Sequence, residues 1–205
     1  MVGPGALGLG VRYFHRIQQS NCGLSRLSFS GPARQAVLEL MNDTSHLGEA
    51  LPKLKEGKTG VRLLLVPAVN GIPRDGCQIS GGLERLGLDY VFPINADGRA
   101  AGAAIFRRGT KAVAQTHDEK NLTSVLRSVL LNAAGERALK VAVVAPPDFL
   151  YHLLYKQLGL RNLEGSLLLS GSSITALHCA SASAQPILQA LNTFESQVNP
   201  SGAYI

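Results

Sequence analysis

Residues 140–160 read KVAVVAPPDFLYHLLYKQLGL. Val141–Ala145 is an unbroken apolar run, as in a strand buried on both faces of a sheet, and it stops against Pro146-Pro147-Asp148. Phe149, Leu150, Leu153 and Leu154 then share one face of a helix that Gly159 should end. A strand, a proline-marked turn and a helix in that order form half of a β-α-β unit.

The same reading extends upstream. Val61-Arg62-Leu63-Leu64-Leu65-Val66, ending at Pro67, is a second compact apolar run, and Tyr90-Val91-Phe92 before Pro93 is a third. Leu122, Val125, Leu126, Val129 and Leu130 recur at i, i+3, i+4, i+7 and i+8, the clearest helix in the chain. Leu83–Leu88 suits a short helix weakened by Gly87, and the alanines of 99–106 are compatible with another. Downstream, Ser172–Cys179 reads as a strand and Pro186–Phe194 as a strand or short helix. The alternation predicts an α/β fold over residues 58–195: three layers, a mostly parallel sheet and helices on both faces, with 196–205 as a tail. Such sheets place ligands beyond the C-terminal ends of their strands, so the residues after Val66, Phe92 and Val144 are the ones to interrogate.

Before that domain, Ala36, Val37, Leu40, Leu47, Leu51 and Leu54 form a loose apolar stripe, which predicts a helical extension over 39–57. Asn42-Asp43-Thr44-Ser45 breaks the stripe and could cap a second short helix. The first 38 residues differ in kind. They contain Arg12, Arg16, Arg26 and Arg34 and no acid before Glu39, so most of the chain's net charge of +6 sits there. An arginine- and serine-bearing, acid-free segment reads as a mitochondrial or plastid address, or as an extended basic arm lying along a partner. Contact with a membrane surface through 1–38 is expected from the same charge.

The 205 residues are 45% hydrophobic and 17% charged, enough to pack a core and too apolar for wholesale disorder. No uninterrupted apolar stretch is long enough to span a membrane. Cys22, Cys77 and Cys179 lie far apart, which argues against a disulfide framework or a cysteine-rich zinc site.

Several motifs fall short of their chemistry. Gly57-Lys58-Thr59 resembles half of a phosphate-binding loop, but Pro52 stands where a glycine is needed and the strand comes after it rather than before. His117-Asp118-Glu119 reads as a solvated turn, and Asp148 with His152 as an ordinary i, i+4 pair. Arg107-Arg108 with Lys111 is too small a footprint for nucleic acid and lacks interleaved aromatics. No metal-ligand spacing and no cofactor fingerprint emerges.

From Val61 onward the order of elements resembles the histidine phosphatase (phosphoglycerate mutase-like) superfamily. Residues 140–160 are similar to that family's strand–SHGG–helix segment with its trailing LGL. Ser172-Ser173-Ile174-Thr175-Ala176-Leu177 is similar to its late SITVL strand, and Leu191-Asn192-Thr193 to its LNDT. Leu88–Ala104 resembles its VYSS and RAxxTA segment. The resemblance implies a pocket of two histidines and two arginines, in which one histidine takes a phosphoryl group. Carried over by position, that pocket is nearly lost. Pro67 and Ala68 stand where the first strand should end in Arg-His-Gly, and Pro146 stands where the second histidine should come after Ala145. Only Arg99 keeps a matching position.

A second register sets Tyr13-Phe14-His15-Arg16 through Asn21 against the family's first motif, which would make His15 the nucleophile beside Arg99. Val61–Val66 is the better strand, and Pro146 is a loss in either register. The implied function is therefore a phosphatase-like scaffold without catalysis, an accessory subunit among other proteins of a mitochondrial assembly such as a respiratory complex, the ATP synthase or the mitoribosome. An active phosphatase using His15 and Arg99, and a basic anion or RNA binder, are the alternatives.

Overall fold

The computed structural model describes residues 7–9, 11–30, 35–49, 51–68, 86–94, 113–114, 119–133, 135, 137–160, 166–171 and 173–193. They build strands β1 (Leu24–Ser30), β2 (Gln35–Asp43), β3 (Val61–Pro67), β4 (Tyr90–Pro93), β5 (Val113–Ala114), β6 (Leu139–Ala145), β7 (Ile174–Cys179) and β8 (Ile187–Thr193). Helices α1 (Glu119–Asn132) and α2 (Pro147–Leu158) complete the α/β fold, with short 3-10 turns at Val11–Arg16 and Ser45–Leu47. The expected helix over 99–106 and the tail 196–205 lie outside the described residues.

The eight strands form one sheet in the order β1-β2-β8-β7-β3-β6-β4-β5. Its centre is β3, every residue of which is buried. Successive side chains point to opposite faces, so a continuous apolar run serves two cores at once. Leu63, Leu65, Val141 and Val143 face Leu122 and Leu126 of α1 and Leu150, Leu153 and Leu154 of α2. Leu64, Val66, Ala142 and Val144 face the other way, onto Leu51, Leu88 and the helical Leu86. Leu150 and Leu154 are fully buried, each worth roughly 1.5–3 kcal/mol of transfer free energy. Gly159, at φ 65°, ends α2 as a left-handed cap, with its N–H donating to the Lys156 carbonyl.

The three layers match expectation, but the sheet is mixed rather than mostly parallel. β3, β6, β4 and β5 run parallel, while β7 pairs antiparallel with β3 and β8 antiparallel with β7. The reason lies after α2. The chain passes β2, where Leu38 and Leu167 form a bridge, before it enters β7 at the edge where β3 ends. Helices α1 and α2 cover one face, and the helical Leu86 packs on the other, in keeping with the three layers.

The larger correction concerns the N-terminal third. Residues 35–43 are strand, not helix, and the helical extension over 39–57 reduces to one 3-10 turn and extended chain. Ala36 and Leu38 are buried two apart, as in a strand, and the alternation slips before Met41 because the β1–β2 register shifts there. The expected short capped helix is the Ser45–Leu47 turn, held by Asp43, which accepts from the Ser45 N–H at 3.0 Å. Nor is 1–38 a free arm over its described length. β1 and β2 are strands of the sheet, Ile17 bridges Leu188, and the Tyr13 hydroxyl donates to the Gly159 carbonyl at 3.0 Å. Arg16 donates to the Gln157 carbonyl, placing its charge at the negative end of α2.

The β2–β8 seam pairs only Met41 with Leu191 in register, and the asparagine after each does the rest. Asn42 donates to the Gln189 carbonyl at 2.6 Å, and Asn192 donates to the Glu39 carbonyl at 2.7 Å. Asn192 also donates to the Leu168 carbonyl and accepts from the Ser170 N–H and the Ser173 hydroxyl, each at 2.9 Å. At the other end of the sheet, Arg137 makes a two-pronged contact with Asp89 at 2.9 and 2.5 Å, and Asp89 accepts the Lys140 N–H at 2.8 Å. This ties the start of β4 to the start of β6.

Asn192→Ala should lower the free energy of unfolding by about 2–4 kcal/mol, since it leaves buried partners without bonds. Asn192→Asp should do comparable harm because a carboxylate has no N–H to donate. The urea midpoint tracked by circular dichroism reads both. The Arg137 contact holds the Asp89 carboxyl below its ordinary value of 3.8. That contribution is complete above the ordinary value and is lost as pH falls through the lower, folded one. Asp89→Asn should therefore flatten the loss of stability as pH falls below about 4, by less than about 1 kcal/mol because the guanidinium side is open to solvent.

Candidate functional site

The parallel strands β3, β6 and β4 deliver their C-terminal ends to one edge, with Pro67 opposite Ala145 and Pro93 opposite Val144. Pro67, Ala68 and Pro146 are thus brought together, as their sequence positions require. Ala68 and Ile94 are buried, at 5% and 4% exposure, and their N–H groups are spent on the sheet. Ala68 donates to the Ala145 carbonyl and Ile94 to the Val144 carbonyl, both at 2.8 Å. Neither N–H remains for an oxyanion.

The entry to α2 is equally closed to phosphate chemistry. Pro146 is extended (φ −54°, ψ 147°), and Pro147 begins the helix without an N–H. Asp148 occupies the first turn, where its carboxylate meets the positive end of the helix dipole that would otherwise favour an anion. Of Pro67, Ala68, Ile94, Pro146, Pro147 and Asp148, the residues described at this edge, the one ionisable side chain is the Asp148 carboxylate, and none is a histidine or a cation. Asp148 and His152 are both exposed on α2, and no hydrogen bond joins them; the His152 ring instead meets Tyr151 edge-on at 6.0 Å.

His15 does not reach this edge. It is exposed on the Val11–Arg16 turn, whose Tyr13 and Arg16 are tied to the C-terminal end of α2. The strand-end prolines are at the other end of that helix, about 18 Å away at 1.5 Å per residue. Arg99, Arg107-Arg108, Lys111, His117, Asp118 and Cys77 lie outside the described residues, while Glu119 opens α1. Burial pushes the Cys179 thiol up to about 11, so it is a packing group rather than a nucleophile. No group of metal-ligating side chains occurs among the described residues.

The polar residues that sequence reading missed lie at the opposite edge. Lys140, Arg62 and His178 start or end neighbouring strands and are paired across them, Arg62 with both others. They share the face of Leu64, Ala142 and Ala176. Each is met by a neutral carbonyl: Pro52 accepts from Arg62 at 2.6 Å, Thr59 from His178 at 2.8 Å, and Leu86 from Lys140. Burial pushes the Arg62 guanidinium down to about 10. Burial, then the charges of Arg62 and Arg137, hold the Lys140 ammonium below its usual range. The signal was a charged residue opening each of two apolar strand runs, Arg62 and Lys140, visible in sequence only once their register is known.

No protein-family model matches the chain, and no curated protein matches it. Among solved structures it is similar to the crystal structure of a phosphoglycerate mutase from Plasmodium falciparum. The identity is 13%, the match covers 72% of this chain and 99% of that one, and the TM-score is 0.47.

Proposed function

We propose that the chain is a non-catalytic scaffold, a phosphatase-like domain retained as an accessory subunit of a mitochondrial multiprotein assembly. The observation that carries this reading is the character of the strand-end edge. Where α/β sheets bind and transform their ligands, Pro67, Ala68, Ile94, Pro146 and Pro147 present ring carbons, methyls and N–H groups already committed to the sheet. Proline and alanine side chains cannot accept a phosphoryl group or stabilise its charge.

A scaffold needs a surface to offer, and β1 supplies one. It is the edge strand, so one line of its backbone groups faces away from the sheet. Phe29 and Leu24 on it are 61% and 55% exposed. No helix among the described residues is long and apolar enough to cross a membrane. The arginine-bearing, acid-free composition of 1–38 supports the mitochondrial address. Because Tyr13, Ile17 and β1 are bonded into the fold, such an address would act without removal of residues 11–38.

The full chain should hydrolyse p-nitrophenyl phosphate no faster than buffer, and His15→Ala and Arg99→Ala should leave that rate unchanged. Turnover that disappears in His15→Ala would overturn the scaffold reading. In a native mitochondrial extract the protein should migrate within a particle far larger than its own 21.7 kDa. Phe29→Glu, which charges the free edge, should release it; migration as a monomer would count against the reading.

A further inference from the structure

We propose that the groove at the N-terminal edge of β3, β6 and β4 binds a small phosphorylated anion, held by Lys55, Lys58 and Lys140. The site lies at the end of the sheet away from the strand-end prolines and does not depend on the scaffold reading.

The groove runs between the turn at 54–58, Gly87 and residues 137–140, and has a volume of about 380 Å³, the small end of the range for ligand pockets. Leu54 and Ala138 line it together with the side chains of Lys55, Lys58, Arg137 and Lys140, and Glu56 is the one acid among its lining residues. Lys55 and Lys58 are exposed and belong to one tight turn, in which the Lys58 N–H donates to the Lys55 carbonyl at 3.2 Å. Gly57, at φ 75°, makes that turn, and a Cβ at Gly57 or Gly87 would meet nothing within 4 Å. Both glycines border open space.

Among the described lining residues the cations outnumber the acids, four to one. Among the described residues, Lys55, Lys58, Arg62 and Lys140 have no carboxylate partner within ion-pair distance, and Asp89 is committed to Arg137 and to the Lys140 N–H. Glu56 alone is an acid of the groove without a partner among the described residues. Lys140 gives one proton to the Leu86 carbonyl, and an ammonium has three to give. Arg62 beside Lys140 on adjacent strands is a like-charge pair, an arrangement that costs free energy unless a counter-charge relieves it. Burial first, and then the charges of Arg62 and Arg137, hold the Lys140 ammonium below its usual range. Three lysines lining one groove suit a multiply charged phosphoryl group, whereas a single carboxylate needs only one of them.

Pyrophosphate titrated calorimetrically into the full chain at low salt tests this. The expected result is saturable binding that weakens with added salt and falls at least about tenfold, or about 1.4 kcal/mol, in Lys58→Gln and in Lys140→Gln. Lys58 is exposed and has no partner among the described residues, so Lys58→Gln should keep the melting temperature of the unmodified chain and separates lost binding from lost folding. Lys53→Gln, whose lysine pairs with Glu49 at 2.6 Å outside the groove, should bind normally. Absence of saturable heat up to about 1 mM, an equal loss in Lys53→Gln, or malonate binding as tightly as pyrophosphate would overturn the proposal.

Discussion

Two buried asparagines make the N-terminal hairpin part of this protein. Asn42 and Asn192 come directly after the one residue pair, Met41 and Leu191, that keeps β2 and β8 in register. Each is left-handed, at φ 57° and 53°, a conformation that asparagine tolerates better than other side chains with a Cβ. The turn in the backbone swings each amide across the seam, and the result is reciprocal: Asn42 on β2 bonds Gln189 on β8, and Asn192 on β8 bonds Glu39 on β2. Side-chain amides take over where ladder bonds stop. Gly23 belongs to the same arrangement, since a Cβ there would lie 2.2 Å from the Asn42 amide oxygen.

That seam explains which parts of the fold were legible in the sequence. Val61–Pro67, Leu139–Ala145 and α2 announce themselves because they bury apolar residues in unbroken runs or at helical spacing, and local pattern decides them. Gln35–Asp43 does not. Its stripe of Ala36, Val37 and Leu40 fits a helix as well as a strand; its ladder is made with β1, and the amide bonds that join that hairpin to the sheet come from residues about 150 positions away. A long-range partner cannot be read from a nine-residue window. The direction of β7 was hidden for a similar reason, because it depends on the chain passing Leu38 on its way from α2.

The strand-end edge was the more legible of the two edges, since it depends on the residues just after each apolar run. Pro67, Ala68 and Pro146 converge because parallel strands in register must end together. The N-terminal edge depends on the residues just before each run, and there the signals are single charged residues, Arg62 and Lys140, that look like ordinary solvated ends until the register sets them side by side. Gly57-Lys58-Thr59 lacks the strand before it and the helix after it that a phosphate loop requires. It nonetheless lies in the turn that brings Lys58 toward Lys140.

The two edges therefore divide the sheet's polar chemistry in an uncommon way. A parallel sheet with ligand contacts at its strand ends usually draws on freed N–H groups and helix N-termini there. Here Ala68 and Ile94 donate back into β6, and prolines with Asp148 close the entry to α2, so the described residues of the usual edge have little to give an anion. Among the described residues, Arg62 and Lys140 meet at the opposite edge, where strands begin and the backbone carbonyls of Pro52 and Leu86 satisfy only part of their demand. Carbonyl dipoles orient a guanidinium or ammonium without cancelling its charge. An excess of positive charge held in place by neutral acceptors is a cost in the folded protein, and it is the condition under which a bound anion stabilises the fold as well as occupying it.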